Sequence, residues 1–176
     1  PGFNERLSAW LPTLVEHRCS VGERGGFLQR LRDGTWPAHI LEHVTLELQS
    51  LAGLPGGLGR ARETPVRGVY KVIVRAWYEP VTRAALYAAR DLVMAAIEDR
   101  PYDVQGAVDE LRIITNEFEL AAKQAGLTLE QAIDRYSKTG DSFIAARGES
   151  MARTFSRYQQ LSATLAEVRG ATGWER

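Results

Sequence analysis

Trp36-Pro37-Ala38-His39-Ile40-Leu41-Glu42-His43-Val44-Thr45-Leu46-Glu47-Leu48-Gln49 is the stretch around which the chain is organised. Thr35 or Trp36 stands outside a first turn for which the fixed φ of Pro37 is suited, and Gly53 offers a left-handed stop. The stretch therefore predicts a helix. At about 100° per residue, Ile40, Leu41, Val44, Leu48 and Leu51 fall on one side and form the stripe expected to bury. His39, Glu42, His43 and Glu47 gather on the other side.

That second face carries an H-x-x-E-H array. Side chains at i and i+4 sit about 5–6 Å apart at Cβ, so His39 and His43 can share one metal ion. Glu42 lies on the same face, where its carboxylate can take a proton from a water that the ion has acidified toward a pKa of about 7. The order of residues is that of the inverzincins. The plainer reading is an amphipathic helix whose solvent face carries two His and two Glu. All three histidines, His17 included, fall within 27 positions of the sequence, which favours a site.

The bounds are those of an ordinary globular chain. Its 176 residues suit one domain, or one domain with a helical appendage. Lys and Arg balance Asp and Glu at 22 each, so no overall field steers the chain to nucleic acid or to a membrane. No apolar run approaches the ~20 residues of a membrane span, and no signal peptide is visible. Cys19 stands alone, which excludes an internal disulfide and suits a reducing cytoplasm. Pro1 in place of Met predicts that the natural chain starts earlier.

Phe3 to His17 reads as short helical pieces, and Phe27 to Asp33 as another that Gly34 ends. His17 and Cys19 have a spacing that could ligate metal, but on its own Cys19 reads as a small buried apolar residue. Gly68 to Tyr78 is the one strand the alternation identifies, with Tyr70, Val72, Val74 and Ala76 on its apolar face. Pro80 opens a helix to about Glu98, rich in alanines that permit close contact. Asp103 caps a further helix ending at Gly126, and Thr128-Leu129-Glu130-Gln131 is a capping box for the next, which stops near Gly140. Asp141 can cap a third, to about Val168, with Phe143, Met151, Phe155, Tyr158, Leu161 and Leu165 recurring at helical steps. The fold class is thus α+β: a small sheet packed with helices, followed by a mostly helical C-terminal segment.

Pro1-Gly2-Phe3, Glu16-His17-Arg18-Cys19-Ser20, Arg24-Gly25-Gly26-Phe27 and Gly34-Thr35-Trp36 resemble successive landmarks of the N-terminal domain of cyanophycin synthetase. So do His39-x-x-Glu42-His43-x-x-x-Glu47-Leu48-Gln49, Leu51-Ala52-Gly53, Gly59-Arg60-x-Arg62-Glu63-Thr64 and Gly68-x-Tyr70. The resemblance runs in order over residues 1–112, with residues 113–176 as a helical extension in which no family landmark is recognised from about Thr115 on. It implies a preceding strand region, absent before Pro1. Cyanophycin has an aspartate backbone with arginine on each side-chain carboxyl, and the family's implied roles are to hold this polymer and, in some members, to cut it into primers at a zinc-peptidase site.

The resemblance implies zinc on His39 and His43, with Glu42 as general base. Glu47 matches the family pattern as third ligand. However, it lies eight residues from His39, about 12 Å along a straight helix, so Glu63 stays open as the alternative. Arg60 and Arg62, with Glu63, are candidates for contact with the polymer, the guanidinium groups taking its carboxylates two oxygens at a time. Two functions follow: zinc-dependent hydrolysis of the cyanophycin backbone, or a non-catalytic cyanophycin-binding or assembly module. No phosphate-binding glycine loop is present, so ATP-driven ligation is not expected of this chain. The last helix either covers the core or serves as an oligomerisation arm that makes a homo-oligomer.

Overall fold

In the computed structural model, which describes residues 2–139, the elements run in the order α1 (Phe3–Trp10), α2 (Gly26–Asp33), α3 (Pro37–Leu51), β1 (Gly59–Glu63), β2 (Tyr70–Val74), α4 (Glu79–Ile97), α5 (Val104–Gln124) and α6 (Leu129–Thr139). Two short 3-10 turns, Pro12–Glu16 and Cys19–Val21, link α1 to α2. The α+β expectation holds: helices dominate, with one small antiparallel sheet. None of the described helices is long and apolar enough to cross a membrane.

α3 is the hub. It packs against α4, α5, both strands and the Pro12–Glu16 turn. Val44 and Leu48 are fully buried, each contributing about 1.5–3 kcal/mol by leaving water. The expected division into a dry and a wet face does not hold. Glu42, His43 and Glu47 are only 5%, 6% and 3% exposed, while Leu41 and Leu51 of the predicted stripe are half-buried. The sheet and the Pro12–Val21 segment cover the polar side, so α3 is enclosed all round, as a core helix is. Its buried polar groups are therefore paired. Thr45 Oγ1 donates to the Leu41 carbonyl at 2.6 Å, and Thr82 of α4 donates to Gln49 Oε1 at 2.7 Å.

β1 and β2 pair antiparallel, from Gly59 opposite Val74 to Glu63 opposite Tyr70. β1 was not expected, because Gly-Arg-Ala-Arg-Glu has no apolar alternation to announce it and forms on the template of β2. β2 is also shorter than the predicted strand. Beyond it, the Arg75 guanidinium stacks 4.2 Å over the Trp77 ring, and Trp77 Nε1 donates to the Pro55 carbonyl at 2.8 Å. Tyr78 then turns inward and stacks on Phe118 of α5 with centroids 4.4 Å apart.

α4 packs against α3, and its Ala85 and Ala89 are fully buried, in keeping with the close contact its small residues predict. Arg6 of α1 donates to the Ala96 carbonyl near the end of α4 at 2.8 and 2.9 Å. Asp103 caps α5 by accepting from Gly106 N at 2.9 Å, and Thr128 and Gln131 make the expected reciprocal cap on α6. The expected division near residue 112 falls inside the unbroken α5. The helix expected from Asp141 to about Val168, with its stripe from Phe143 to Leu165, lies outside the described residues.

Candidate metal centre

The segment before α2 delivers two side chains to α3. Gly25 N donates to the Val15 carbonyl at 2.6 Å and Phe27 N to the His17 carbonyl at 3.0 Å, which clamps the start of α2 onto residues 15–17. Gly26 makes this approach possible, since a Cβ there would stand 2.0 Å from the Arg18 carbonyl oxygen. The Phe27 ring stacks on His43, centroids 4.1 Å apart. Cys19 adopts φ +50, a left-handed conformation uncommon outside glycine. The expectation of a buried apolar Cys19 fails: the residue is half-exposed, and its Sγ lies 3.2 Å from His39 Nε2.

His39 and His43 meet as the motif predicts, Nε2 to Nε2 at 3.1 Å. With Cys19 they are the one group among the described residues that gathers three potential ligand atoms, all within 4.8 Å of one another. A thiolate with two imidazoles is a zinc-type donor set, and three protein donors leave a position open, as in catalytic sites. Thr35 Oγ1 lies 2.7 Å from His39 Nδ1, which turns Nε2 toward Cys19 and His43.

Glu47, expected as the third ligand, is occupied elsewhere. One carboxylate oxygen lies 2.8 Å from His17 Nε2, and the other accepts from Thr13 Oγ1. Two helical turns from His39, it faces the Pro12–Glu16 segment rather than the donor cluster. His17 in turn reaches His43, Nδ1 to Nδ1 at 2.8 Å. The sequence signal for Cys19 and His17 was their two-residue spacing, which shows donors but not the element they face.

The donor cluster opens into a cavity of about 660 Å³ that Glu42, Arg18, Arg30 and Arg60 also line. Burial pushes the Glu42 carboxyl above the ordinary carboxylate range, and the Ala61 N–H bonded to it offsets part of this. Burial lowers the His39 pKa, with Arg30 adding to the effect, and depresses His43 to about 3, helped by His17 and His39. Both rings are thus neutral at pH 7. Of the expected polymer contacts, Arg60 faces the cavity, whereas Arg62 and Glu63 are exposed on β1 and do not line it.

Residues 1–98 match a family model described as the cyanophycin synthase-like N-terminal domain, and residues 102–176 match a second, described as a protein of unknown function (DUF2937). Among curated proteins, the chain is 35% identical over 181 residues to the cyanophycin synthetase of Geminocystis herdmanii, covering 99% of the chain and 20% of that protein. The Synechocystis cyanophycin synthetase is 37% identical over 178 residues, with the same coverage. That of Crocosphaera subtropica is 44% identical over 111 residues, 63% of the chain and 13% of the relative. The first two alignments carry the likeness past Thr115, where no landmark was recognised. The chain spans about a fifth of the length of the curated relatives it matches.

Proposed function

The chain belongs to the cyanophycin synthase-like N-terminal domain family, and on that premise we propose that it binds zinc on Cys19, His39 and His43 and hydrolyses the backbone of cyanophycin. The convergence of Cys19 Sγ and two imidazole nitrogens within 4.8 Å, in a cavity that Glu42 also lines, carries this reading. When bound, zinc polarises a carbonyl and brings the pKa of water toward about 7.

The protein's own residues supply the rest. Glu42 acts as the general base, taking a proton from the attacking water and giving it to the departing backbone amine. Its burial suits this, since a carboxylate of raised pKa accepts and returns a proton nearer neutral pH. The Ala61 N–H holds the carboxylate in place. Arg60, with Arg18 and Arg30, offers guanidinium forks to aspartate carboxylates of the polymer. Glu16 lines the same cavity, and its bond to Arg24 at 2.7 Å is one that an arginine of the polymer could exchange for its own.

The test combines zinc content with cleavage of soluble cyanophycin, followed as new amino termini. Near-stoichiometric zinc and chelator-sensitive cleavage are expected. Cys19→Ala should lose the metal, whereas Glu63→Gln should keep it. Polymer that is bound but left intact by the zinc-loaded chain would replace this reading with the non-catalytic binding or assembly module.

A further inference from the structure

We infer that Glu47 and His17 form a positioning relay that decides which nitrogen of His43 carries its proton, leaving Nε2 bare toward Cys19 and His39. The consequence for metal rests on the zinc reading above; the hydrogen-bond order does not. Glu47 Oε2 lies 2.8 Å from His17 Nε2. A carboxylate only accepts, so the hydrogen between them sits on His17 Nε2. A neutral His17 then has a bare Nδ1, which faces His43 Nδ1 at 2.8 Å. Two ring nitrogens at that distance hold one hydrogen between them, and here it must come from His43 Nδ1. The neutral His43 ring is left with its lone pair on Nε2, the atom 3.1 Å from His39 Nε2.

The far end of the chain is anchored as well. Thr13 Oγ1 donates to the second Glu47 oxygen, so both oxygens of the 3% exposed carboxylate are held. Phe27 stacks on the His43 ring and prevents it from turning over. Thr35 Oγ1 lies 2.7 Å from His39 Nδ1 and holds the orientation of that ring in the same way. Partners of this kind raise ligand basicity and orient the ring, and their loss typically costs about 10–100-fold in metal affinity. Glu47 thus serves the site without touching the ion.

The experiment uses the 176-residue chain, uniformly ¹⁵N-labelled and metal-free at pH 8, with the His43 tautomer read from long-range ¹H–¹⁵N correlations. An Nδ1–H tautomer is expected, and an Nε2–H tautomer would overturn the relay. Zinc affinity by chelator competition adds a second readout. His17→Phe keeps the ring packing and should lose about 10–100-fold. His17→Gln, whose amide can accept from His43 and donate to Glu47, should recover part of that loss. A His17→Phe chain that binds zinc as tightly as the parent would also overturn the relay. If the unsubstituted chain shows the Nδ1–H tautomer yet takes up no zinc, the relay stands and the zinc reading fails.

Discussion

Gly59 passes so close to Glu42 that a Cβ on the strand residue would lie 2.6 Å from Glu42 Cγ and 2.7 Å from its Oε1. β1 reaches the helix at this point, and two positions later the Ala61 N–H bonds the same carboxylate. The glycine is therefore required by proximity. Gly59→Ala should push Glu42 aside, lower stability by about 1–3 kcal/mol as overpacking does, and slow hydrolysis while zinc stays bound. Thermal melting, zinc content and cleavage rate report the three effects; unchanged cleavage would separate Glu42 from the chemistry.

Glu42→Gln tests the base directly. The amide keeps the shape and leaves the imidazoles in place, so zinc should remain while cleavage falls by about 10²–10⁴-fold. Stability should change in a direction fixed by burial. A carboxyl whose pKa is raised by folding binds its proton more tightly in the native state, so the parent loses stability as pH climbs above 4.5. Above that window Glu42→Gln should melt at or above the parent temperature, and a lower one would count against the burial argument.

His43 gives the opposite slope. Its pKa of about 3 in the folded chain lies below the ordinary 6.5, so the neutral ring's contribution is fully present above pH 6.5. It is lost as pH falls from there toward 3, at about 1.4 kcal/mol per unit while the unfolded ring takes up the proton. Denaturant unfolding of metal-free protein across this range should show the loss, reduced in His43→Gln. Equal slopes in the two proteins would remove His43 as the source.

Arg60 and Arg62 should separate. Both project from β1, but only Arg60 lines the cavity. Arg60→Ala should weaken binding of soluble cyanophycin about tenfold, a loss of roughly 1.4 kcal/mol, and Arg62→Ala by less. Titration by calorimetry decides this, and indifference to Arg60→Ala would take the β1 edge out of the polymer site.

The local elements were legible wherever a period or a cap announced them. Pro37 opened α3, Asp103 opened α5, and Thr128 with Gln131 opened α6. β1 was not, since its five residues owe their strand conformation to pairing rather than to their own pattern. The site was legible along one helix only. His39, Glu42 and His43 could be read because a single turn brings them together, and helical spacing also placed Glu47 one turn further on. Cys19 and His17 arrive from another segment through the Gly26 contact, and no periodicity encodes such a contact. The family pattern offers Glu47 as a ligand, but its bonds to Thr13 and His17 depend on that same contact between segments.

The enclosure of α3 constrains how this domain changes over generations. A surface helix can replace its residues singly, but here two buried polar side chains answer side chains on other segments: Gln49 to Thr82 and Glu47 to His17. Losing one member strands the other in a dry interior, at about 1–3 kcal/mol. Variation along α3 should therefore be inherited in matched pairs, one partner in the helix and one outside it, so that a change at position 47 arrives with a change at position 17.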